Sequence, residues 1–180
     1  MRIAHISDFH LPTKPGQSVN NTFPDANLIE AVSVLKQQTP KMDLIVLGGD
    51  LLDDGQKGNY EAIAELFKDI QAPLYTVVGN HDDLKALKKR SLVDGEPDYP
   101  GYGSFDHGDL HLVLLNTAGT GKSLGRLEEE QLFWLSKDLS ANKDRSVLIF
   151  MHHHPVDSSI PWLDKMNLEN SDAFWSILPP

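Results

Sequence analysis

The fold class is indicated by one short segment, Leu44-Ile45-Val46-Leu47-Gly48-Gly49-Asp50. Four apolar residues in a row are typical of a strand that is covered on both faces, as in the sheets of α/β proteins. The two glycines let the backbone turn sharply, so that Asp50 follows directly on the end of the strand. The stretch therefore predicts a layered α/β protein with a carboxylate at the carboxyl edge of its sheet, where α/β proteins bind ligands.

The rest of the chain alternates in the same way between short apolar runs and helical periodicity, which favours an α/β fold. A segment rich in Gly, Pro and Asp, residues 94–108, predicts a loop. No linker interrupts the pattern, so we expect a single domain over residues 1–180. Further strands are predicted near residues 3–7, 74–78, 112–115 and 147–151, and helices near 28–35 (closed by Thr39 and Pro40), 62–70, 82–90, 132–139 and 168–178.

The composition limits the partners. Sixteen Lys and Arg against 26 Asp and Glu give a net charge of −10, and an acidic protein repels polyanions, so we expect no nucleic-acid polymer as a partner. The chain has no Cys, which excludes disulfides, thiol catalysis and Cys-ligated zinc. No run approaches the roughly 18 apolar residues of a membrane span, and the first residues lack the features of a signal peptide. We therefore expect a cytoplasmic protein without a membrane partner.

A phosphate substrate would need bound metal to neutralise it, and eight His residues make metal binding a reasonable expectation.

Side chains of the metal-ligand type gather after the predicted strands. Because the carboxyl ends of the strands meet at one edge of an α/β sheet, we expect these side chains to converge. Asp8 and His10 are two residues apart, so both point to the same face of an extended chain. A solvated turn before Pro12 and an ordinary turn at Gly49 and Asp50 are the alternatives for the single motifs. The whole set is Asp8, His10, Asp50, Asn80, His81 and the triplet His152-His153-His154.

Asn80, His81 and Asp82 are adjacent after the third predicted strand. Asp82 can accept the ring N–H of His81 and so fix its tautomer. Alternatively, an Asn turn is followed by a helix whose N-terminal dipole Asp82 favours. The His triplet lies inside the chain, and packing does not explain three in a row before Pro155.

These motifs together resemble the calcineurin-like metallophosphoesterase family. The resemblance rests on Asp8-x-His10, Gly49-Asp50, Gly79-Asn80-His81-Asp82 and His153-His154-Pro155. Within the family the chain is most similar to the class III cyclic nucleotide phosphodiesterases. The resemblance implies a four-layered α/β/β/α sandwich with a site for two divalent metal ions.

The resemblance also implies a role for each matching residue. Asp8 and His10 would hold the first ion, Asp50 would bridge both ions, and Asn80 and His153 would hold the second. Mixed Asp, Asn and His ligands suit Mn, Fe or Zn better than Ca, without selecting among them. Such a pair of ions, about 3.5–4 Å apart, activates a water and clamps phosphate oxygens. The function implied is hydrolysis of a phosphodiester, above all a cyclic nucleotide such as cyclic AMP, by a metal-bound hydroxide.

The catalytic group implied by the resemblance is Asn80, His81 and Asp82. His81 would lie near the leaving group as a proton donor or transition-state stabiliser, and Asp82 would orient it. The substrate would be a small phosphate ester. Sequence alone does not choose among cyclic nucleotides, glycerophosphodiesters and phosphomonoesters.

The chain departs from the family pattern at its end. The family continues with a Gly-His-x-His element that gives each metal one more His, and residue 180 comes before it. We therefore expect a sandwich that lacks its C-terminal strands. One alternative is a truncated, non-catalytic domain that binds metal, nucleotide or a partner. In another, a homo-oligomer completes the sheet or the site. Other substitutes for the missing ligands would be His5, His107, His111, His152 and His154.

A P-loop is a rival interpretation of residues 116–123, which follow a predicted strand and contain Gly121-Lys122-Ser123. That motif requires Gly where Asn116 stands and a helix that opens directly after Lys-Ser. A loop that borders the phosphoesterase site explains the segment more simply.

Overall fold

The computed structural model describes residues 1–38, 41–55, 57–89, 101–119 and 123–178. The chain divides into two compact units. The first unit comprises Met1–Thr76 and His81–Asp98, and the second comprises Val77–Asn80 and Tyr99–Pro180. Within the described ranges, no helix is long and apolar enough to cross a membrane.

The first unit is built on a parallel sheet of three strands in the order β1-β2-β3. The strands are β1 (Ile3–Ile6), β2 (Leu44–Leu47) and β3 (Leu74–Thr76). Every residue of the central strand β2 is buried, as its unbroken apolar run predicts. Helix α1 (Pro24–Gln37) connects β1 to β2, and helix α2 (Tyr60–Phe67) connects β2 to β3.

Local sequence explains where these helices start. Pro24 occupies the first turn of α1, where its missing N–H costs nothing. The Asn59 side chain accepts a hydrogen bond from the Glu61 N–H at 3.0 Å and so caps α2. Helix α3 (Leu84–Lys89) follows Asp83, whose Oδ1 accepts the Ala86 N–H at 2.9 Å. Each cap fixes the direction in which the chain leaves the sheet.

The second unit has its own three-stranded sheet in the order β4-β5-β6. Strands β4 (Gly103–His107) and β5 (Leu110–Leu114) form an antiparallel hairpin, and β6 (Ser146–Phe150) runs parallel to β5. Helix α4 (Glu129–Ala141) makes the crossover, and a 3₁₀ turn (Leu163–Met166) precedes helix α5 (Ser171–Ile177). The core of this unit comprises Val113, Leu115, Leu127, Leu135, Leu139, Leu168 and Phe174.

The predicted elements are present, mostly with shifted bounds. The third strand ends at Thr76 rather than at residue 78. The helix predicted from residue 82 begins at Leu84, and the last helix begins at Ser171 rather than at 168. The closure of the first helix at Thr39 and Pro40 lies outside the described residues. The α/β class is confirmed by both sheets.

The loop predicted over 94–108 is wrong for its last part, because residues 103–107 form β4; residues 94–100 lie outside the described ranges. Of the glycines that suggested a loop, Gly108 belongs to the turn of a hairpin and takes a φ of +59°. Pairing with the apolar β5 makes a strand of a segment with weak strand character of its own.

Candidate metal centre

The loops that follow β1 and β2 have an unusual backbone. Asp8, His10 and Asp50 take φ values of +58°, +46° and +50°, in the left-handed region that costs a non-glycine residue roughly 1–2 kcal/mol. The two loops hold each other in place, because the Asp8 N–H donates to the Gly49 carbonyl at 3.0 Å and the His10 N–H to the Asp50 carbonyl at 2.9 Å. Strain of this kind concentrates at functional sites.

The same backbone brings the side chains of Asp8, His10 and Asp50 together. Nε2 of His10 lies 3.9 Å from Oδ1 of Asp8 and 3.6 Å from Oδ2 of Asp50. The Asp8 side chain is exposed, whereas that of Asp50 is only 6% exposed. The expected convergence of residues after the first two strands is therefore present in the first unit.

The buried Asp50 carboxylate has a fixed orientation. Its Oδ1 accepts the backbone N–H of His81 at 2.9 Å, while its Oδ2 faces the His10 ring. The loop after β2 is thereby tied to the segment that carries His81. A carboxylate held by one oxygen keeps the other in position for a cation.

His81 lies beside His10 with an exposed side chain. The two rings meet edge to face with centroids 4.8 Å apart. Nδ1 of His81 lies 2.9 Å from the carbonyl oxygen of Asp53. A Cβ atom at Gly55 would lie 2.6 Å from the His81 carbonyl oxygen and 2.4 Å from the Asp83 nitrogen, so only glycine fits where the chain passes this segment.

The expectation that Asp82 orients the His81 ring stays a prediction; in the structure Nδ1 of His81 faces the Asp53 carbonyl at 2.9 Å. Oδ1 of Asp82 instead accepts the Leu51 N–H at 3.0 Å and the Tyr60 O–H at 3.2 Å. The loop after β2 therefore contacts both the His81 ring, through the Asp53 carbonyl, and the Asp82 carboxylate, through the Leu51 N–H. The catalytic role of Asp82 stays a prediction.

Tyr60, the first residue of α2, supports this corner of the first unit. Its hydroxyl donates to Asp82 and accepts the Asp83 N–H at 2.8 Å. Burial raises the pKa of Tyr60, and the negative charge of Asp82 raises it further. The phenol therefore remains a proton donor to Asp82 at any physiological pH. Sequence reasoning assigned Tyr60 no role, because a Tyr at the start of a helix is an ordinary core residue.

Asp53 is a further ligand-type residue that the motifs did not identify. Its Oδ1 lies 3.8 Å from Nδ1 of His10, on the opposite side of the ring from Asp8 and Asp50. His10, Asp53 and His81 each offer a ligand atom within 4.8 Å of one another. At 3.8 Å the Asp53 carboxylate is beyond hydrogen-bond distance of Nδ1 of His10, so Asp53 is a ligand-type neighbour of His10 rather than a partner that fixes the tautomer of its ring. The signal available in the sequence was that Asp53 lies only three residues after the predicted ligand Asp50.

The predicted ligand His153 belongs to the second unit and is buried. Its Nδ1 lies 2.8 Å from Oγ1 of the buried Thr117, which also accepts the His153 backbone N–H at 3.2 Å. A Cβ atom at Gly125 would lie 2.3 Å from Cγ of His153, so the glycine lets the backbone pass directly against the ring. The structure thus holds His153 in one orientation.

Asn80 and the other two residues of the triplet are also in the second unit. Asn80 is half-buried and directly precedes His81 in the chain. The ring of His152 packs edge to face on that of His153, with centroids 4.8 Å apart. Nε2 of His154 lies 3.6 Å from Oδ1 of Asp164, so the three histidines have three different environments.

His111 is a poor substitute for a missing ligand, because its two ring nitrogens contact carboxylates. Nδ1 lies 2.7 Å from Asp106 and Nε2 lies 2.8 Å from Asp138. Burial by itself lowers the pKa of His111, but the hydrogen bonds to both carboxylates outweigh it and the pKa is raised. A buried imidazole clamped in this way stabilises the sheet.

The P-loop interpretation is not supported by the described part of residues 116–123, of which 120–122 lie outside it. Helix α4 begins only at Glu129, not directly after Ser123. Asn116 is instead fixed to that helix, because its N–H and carbonyl both bond the Gln131 side-chain amide at 2.8 Å.

Comparison with known proteins gives a consistent result. A family model of calcineurin-like phosphoesterases matches residues 1–174. The probable glycerophosphodiester phosphodiesterase GpdQ of Arcobacter nitrofigilis is 31% identical over 176 residues, which are 94% of this chain and 63% of that protein. The 3′,5′-cyclic adenosine monophosphate phosphodiesterase CpdA of Pseudomonas aeruginosa is 29% identical over 178 residues, 99% of this chain and 64% of that one. A dimetal phosphatase structure from Danio rerio has a TM-score of 0.67 at 18% identity and covers 97% of this chain and 76% of its own.

The chain belongs to the calcineurin-like phosphoesterase family, as its motifs indicated, and has the metallophosphoesterase fold. It spans just under two thirds of the length of the two curated relatives above. Membership in this family supports the use of divalent metal by the chain.

The residues of the first unit fit such an ion. Because bonds from a metal to imidazole nitrogen or carboxylate oxygen are about 2.0–2.2 Å long, two ligands of one ion lie at most about 4.4 Å apart. The distances from His10 to Asp8 and to Asp50, 3.9 and 3.6 Å, are within that limit. Imidazole and carboxylate together are suitable ligands for Mn, Fe or Zn.

Proposed function

We propose that the chain is a metal-dependent phosphodiesterase that hydrolyses a small phosphodiester, with a cyclic nucleotide such as cyclic AMP as the favoured substrate. One observation carries the proposal: Nε2 of His10 faces the carboxylates of Asp8 and Asp50 within 3.9 Å, on two loops whose backbone is strained. The cyclic nucleotide is favoured by the sequence motifs and by relatives that are named cyclic nucleotide phosphodiesterases.

In this proposal Asp8, His10 and Asp50 hold a divalent ion, which would be Mn, Fe or Zn. Bound divalent ions would supply Lewis-acid activation of water and neutralise the charge of the phosphate. The assignment of Asn80 and His153 to a second ion, with Asp50 as the bridge, stays a prediction from the sequence. A cytoplasmic location and a homo-oligomer also stay predictions.

The protein's own residues supply orientation and proton transfer. Nδ1 of His81 is directed at the Asp53 carbonyl at 2.9 Å, which favours a proton on that nitrogen. In the proton-donor role, Nε2 of this exposed side chain would carry a second proton and give it to the leaving oxygen. Asp50 contributes to the same geometry, since it accepts the His81 backbone N–H.

Two other functions remain as alternatives. A glycerophosphodiesterase is favoured by the name of the relative from Arcobacter nitrofigilis, which is 31% identical. A domain that binds metal, nucleotide or a partner without turnover is the other alternative, and it stays a prediction from the sequence.

An assay of hydrolysis with defined metals tests the proposal. The metal-depleted protein is supplied with Mn²⁺, Fe²⁺ or Zn²⁺ and given cyclic AMP, a glycerophosphodiester or a chromogenic diester. We expect turnover with at least one ion and a preference for cyclic AMP. Asp50→Asn should lower kcat/KM by about 100-fold or more, since even residues that only support a ligand contribute 10–100-fold.

The matched control is Asp69→Asn, which makes the same chemical change at an exposed residue paired with Lys36. It should retain wild-type activity. Binding of metal without turnover of any substrate would contradict the phosphodiesterase and favour the non-catalytic domain. A preference for the glycerophosphodiester would favour the other enzyme.

A further inference from the structure

A cavity of about 290 Å³ lies next to the candidate metal centre, within the first unit. Asp8 and His10 form one side of it. The first half of α1 and the loop that leads into this helix form the other sides. The volume is close to the lower end of ligand pockets in proteins, roughly 300–1,000 Å³. A group attached to a phosphate at Asp8 and His10 would extend into this space.

The loop that walls the cavity has a defined structure. Val19 and Thr22 exchange backbone hydrogen bonds of 3.1 and 2.9 Å across Asn20 and Asn21. Both asparagines take a positive φ, +47° and +62°, which is the conformation of a type I′ turn and one that Asn tolerates well. The Thr22 hydroxyl also donates to the Val19 carbonyl at 2.8 Å. These hydrogen bonds hold the wall in one conformation.

The lining changes in character away from the metal ligands. Phe9, Leu28 and Ala31 contribute apolar surface, and Asn20 and Asn27 contribute neutral amides. Among the described residues that line the cavity, none is Lys or Arg, so the lining offers no lysine or arginine charge to a second phosphate or a carboxylate. Apolar walls with a few amides suit a neutral, flat, heteroaromatic group, since an Asn amide offers one donor and one acceptor to the edge of a base.

We propose that this cavity binds the nucleoside portion of the substrate, with the base against Phe9 and its polar edge toward the Asn27 amide. The inference rests on the proposed function, because it places the phosphate at Asp8 and His10. A purine nucleoside fills a space of this size, whereas a glyceryl group leaves most of it to water. The cavity thus selects a cyclic purine nucleotide over a glycerophosphodiester.

Binding of adenosine provides a test that needs neither metal nor turnover. We titrate adenosine into the metal-free chain and follow amide shifts in the NMR spectrum. Ala31→Leu adds a branched side chain to the cavity wall and should abolish binding. The matched control is Ala26→Leu, at an exposed position of α1 outside the cavity lining, and it should bind as the wild type does. Asn27→Ala should weaken binding about tenfold, within the range for loss of an amide–base pair.

Activity provides the second readout. Ala31→Leu should lower kcat/KM for cyclic AMP at least tenfold and leave hydrolysis of methyl 4-nitrophenyl phosphate, which has no nucleoside, within twofold of wild type. If Ala31→Leu does not fold, as judged by circular dichroism, Asn27→Ala decides the question. Wild-type protein that does not bind adenosine, or that loses no affinity in either variant, would overturn the inference. Absence of turnover with every substrate, while adenosine binding still depends on Ala31, would refute the proposed enzyme and leave the nucleoside site standing.

Discussion

Replacement of Thr117 by Val should lower both the metal affinity and the unfolding free energy. Comparison with Thr117→Ser separates the two losses. The change keeps the shape of a fully buried side chain and removes only its hydroxyl. That hydroxyl accepts the His153 backbone N–H at 3.2 Å and lies 2.8 Å from the ring Nδ1. Since Oγ1 has two lone pairs, it can also accept a hydrogen bond from Nδ1–H, and in that tautomer Nε2 carries the lone pair that a metal requires.

The size of the effect follows from these two contacts. Loss of the acceptor leaves a buried N–H unsatisfied, which costs about 1–3 kcal/mol of unfolding free energy. A histidine that loses the partner of its second nitrogen typically loses about 10–100-fold in metal affinity. Thr117→Ser retains the hydroxyl and loses one methyl group, worth about 1 kcal/mol of stability. We expect its metal affinity to stay within about threefold of wild type, since the partner of Nδ1 is kept.

Two measurements on the same samples separate the effects. Urea denaturation gives the unfolding free energy, and competition with a chromogenic chelator gives the dissociation constant for Zn²⁺ or Mn²⁺ well below the unfolding midpoint. Equal metal affinities for the Val and Ser variants would refute the reasoning. So would a Val variant that is destabilised but binds metal like the wild type, because Thr117 would then be purely structural.

Three further predictions concern the hydrogen bonds and the backbone. Tyr60→Phe removes the acceptor of the Asp83 N–H and should lower the unfolding free energy by about 1–3 kcal/mol; an unchanged urea midpoint would contradict this. His111→Gln should lower the unfolding free energy by about 2–3 kcal/mol below pH 6.5, the ordinary pKa of His. The loss should become smaller as pH rises through the raised pKa of the folded state, because the wild-type ring then loses its charge. A penalty that grows with pH would show that His111 is neutral. Asp8→Gly should be more stable than Asp8→Ala by about 1 kcal/mol, since only glycine adopts a φ of +58° without strain, and both should lose metal affinity; equal stability would refute the strain.

The parallel sheet could be predicted because its central strand β2 is fully buried, and burial leaves the unbroken apolar run Leu44–Leu47. Strand β4 could not, since its residues are mostly only partly buried and Gly103 and Asp106 are poor strand formers by themselves. Its pairing with β5 stabilises it. Helix bounds shifted because caps such as Asp83 are set by single side chains rather than by periodicity.

The same distinction applies to the site. Asp8, His10 and Asp50 could be predicted to converge, because they follow strands that pair in register. The supporting contacts could not, since Asp53 meets His81 through a backbone carbonyl and Thr117 meets His153 across 36 positions of sequence. No local pattern distinguishes such residues from ordinary loop and core residues.

A bound cation would explain both the carboxylates gathered around His10 and the strained backbone of the two loops. Three carboxylates, those of Asp8, Asp50 and Asp53, surround His10 within 3.9 Å. Like charges gathered around one ring repel one another, and the left-handed backbone of Asp8, His10 and Asp50 adds its own cost. Neither arrangement favours folding by itself. A divalent cation among these oxygens would reverse the sign of the electrostatic interaction, and the same cation would attract a phosphate. The net charge of −10 is therefore compatible with an anionic substrate, because the carboxylates at the site would hold the metal that attracts it.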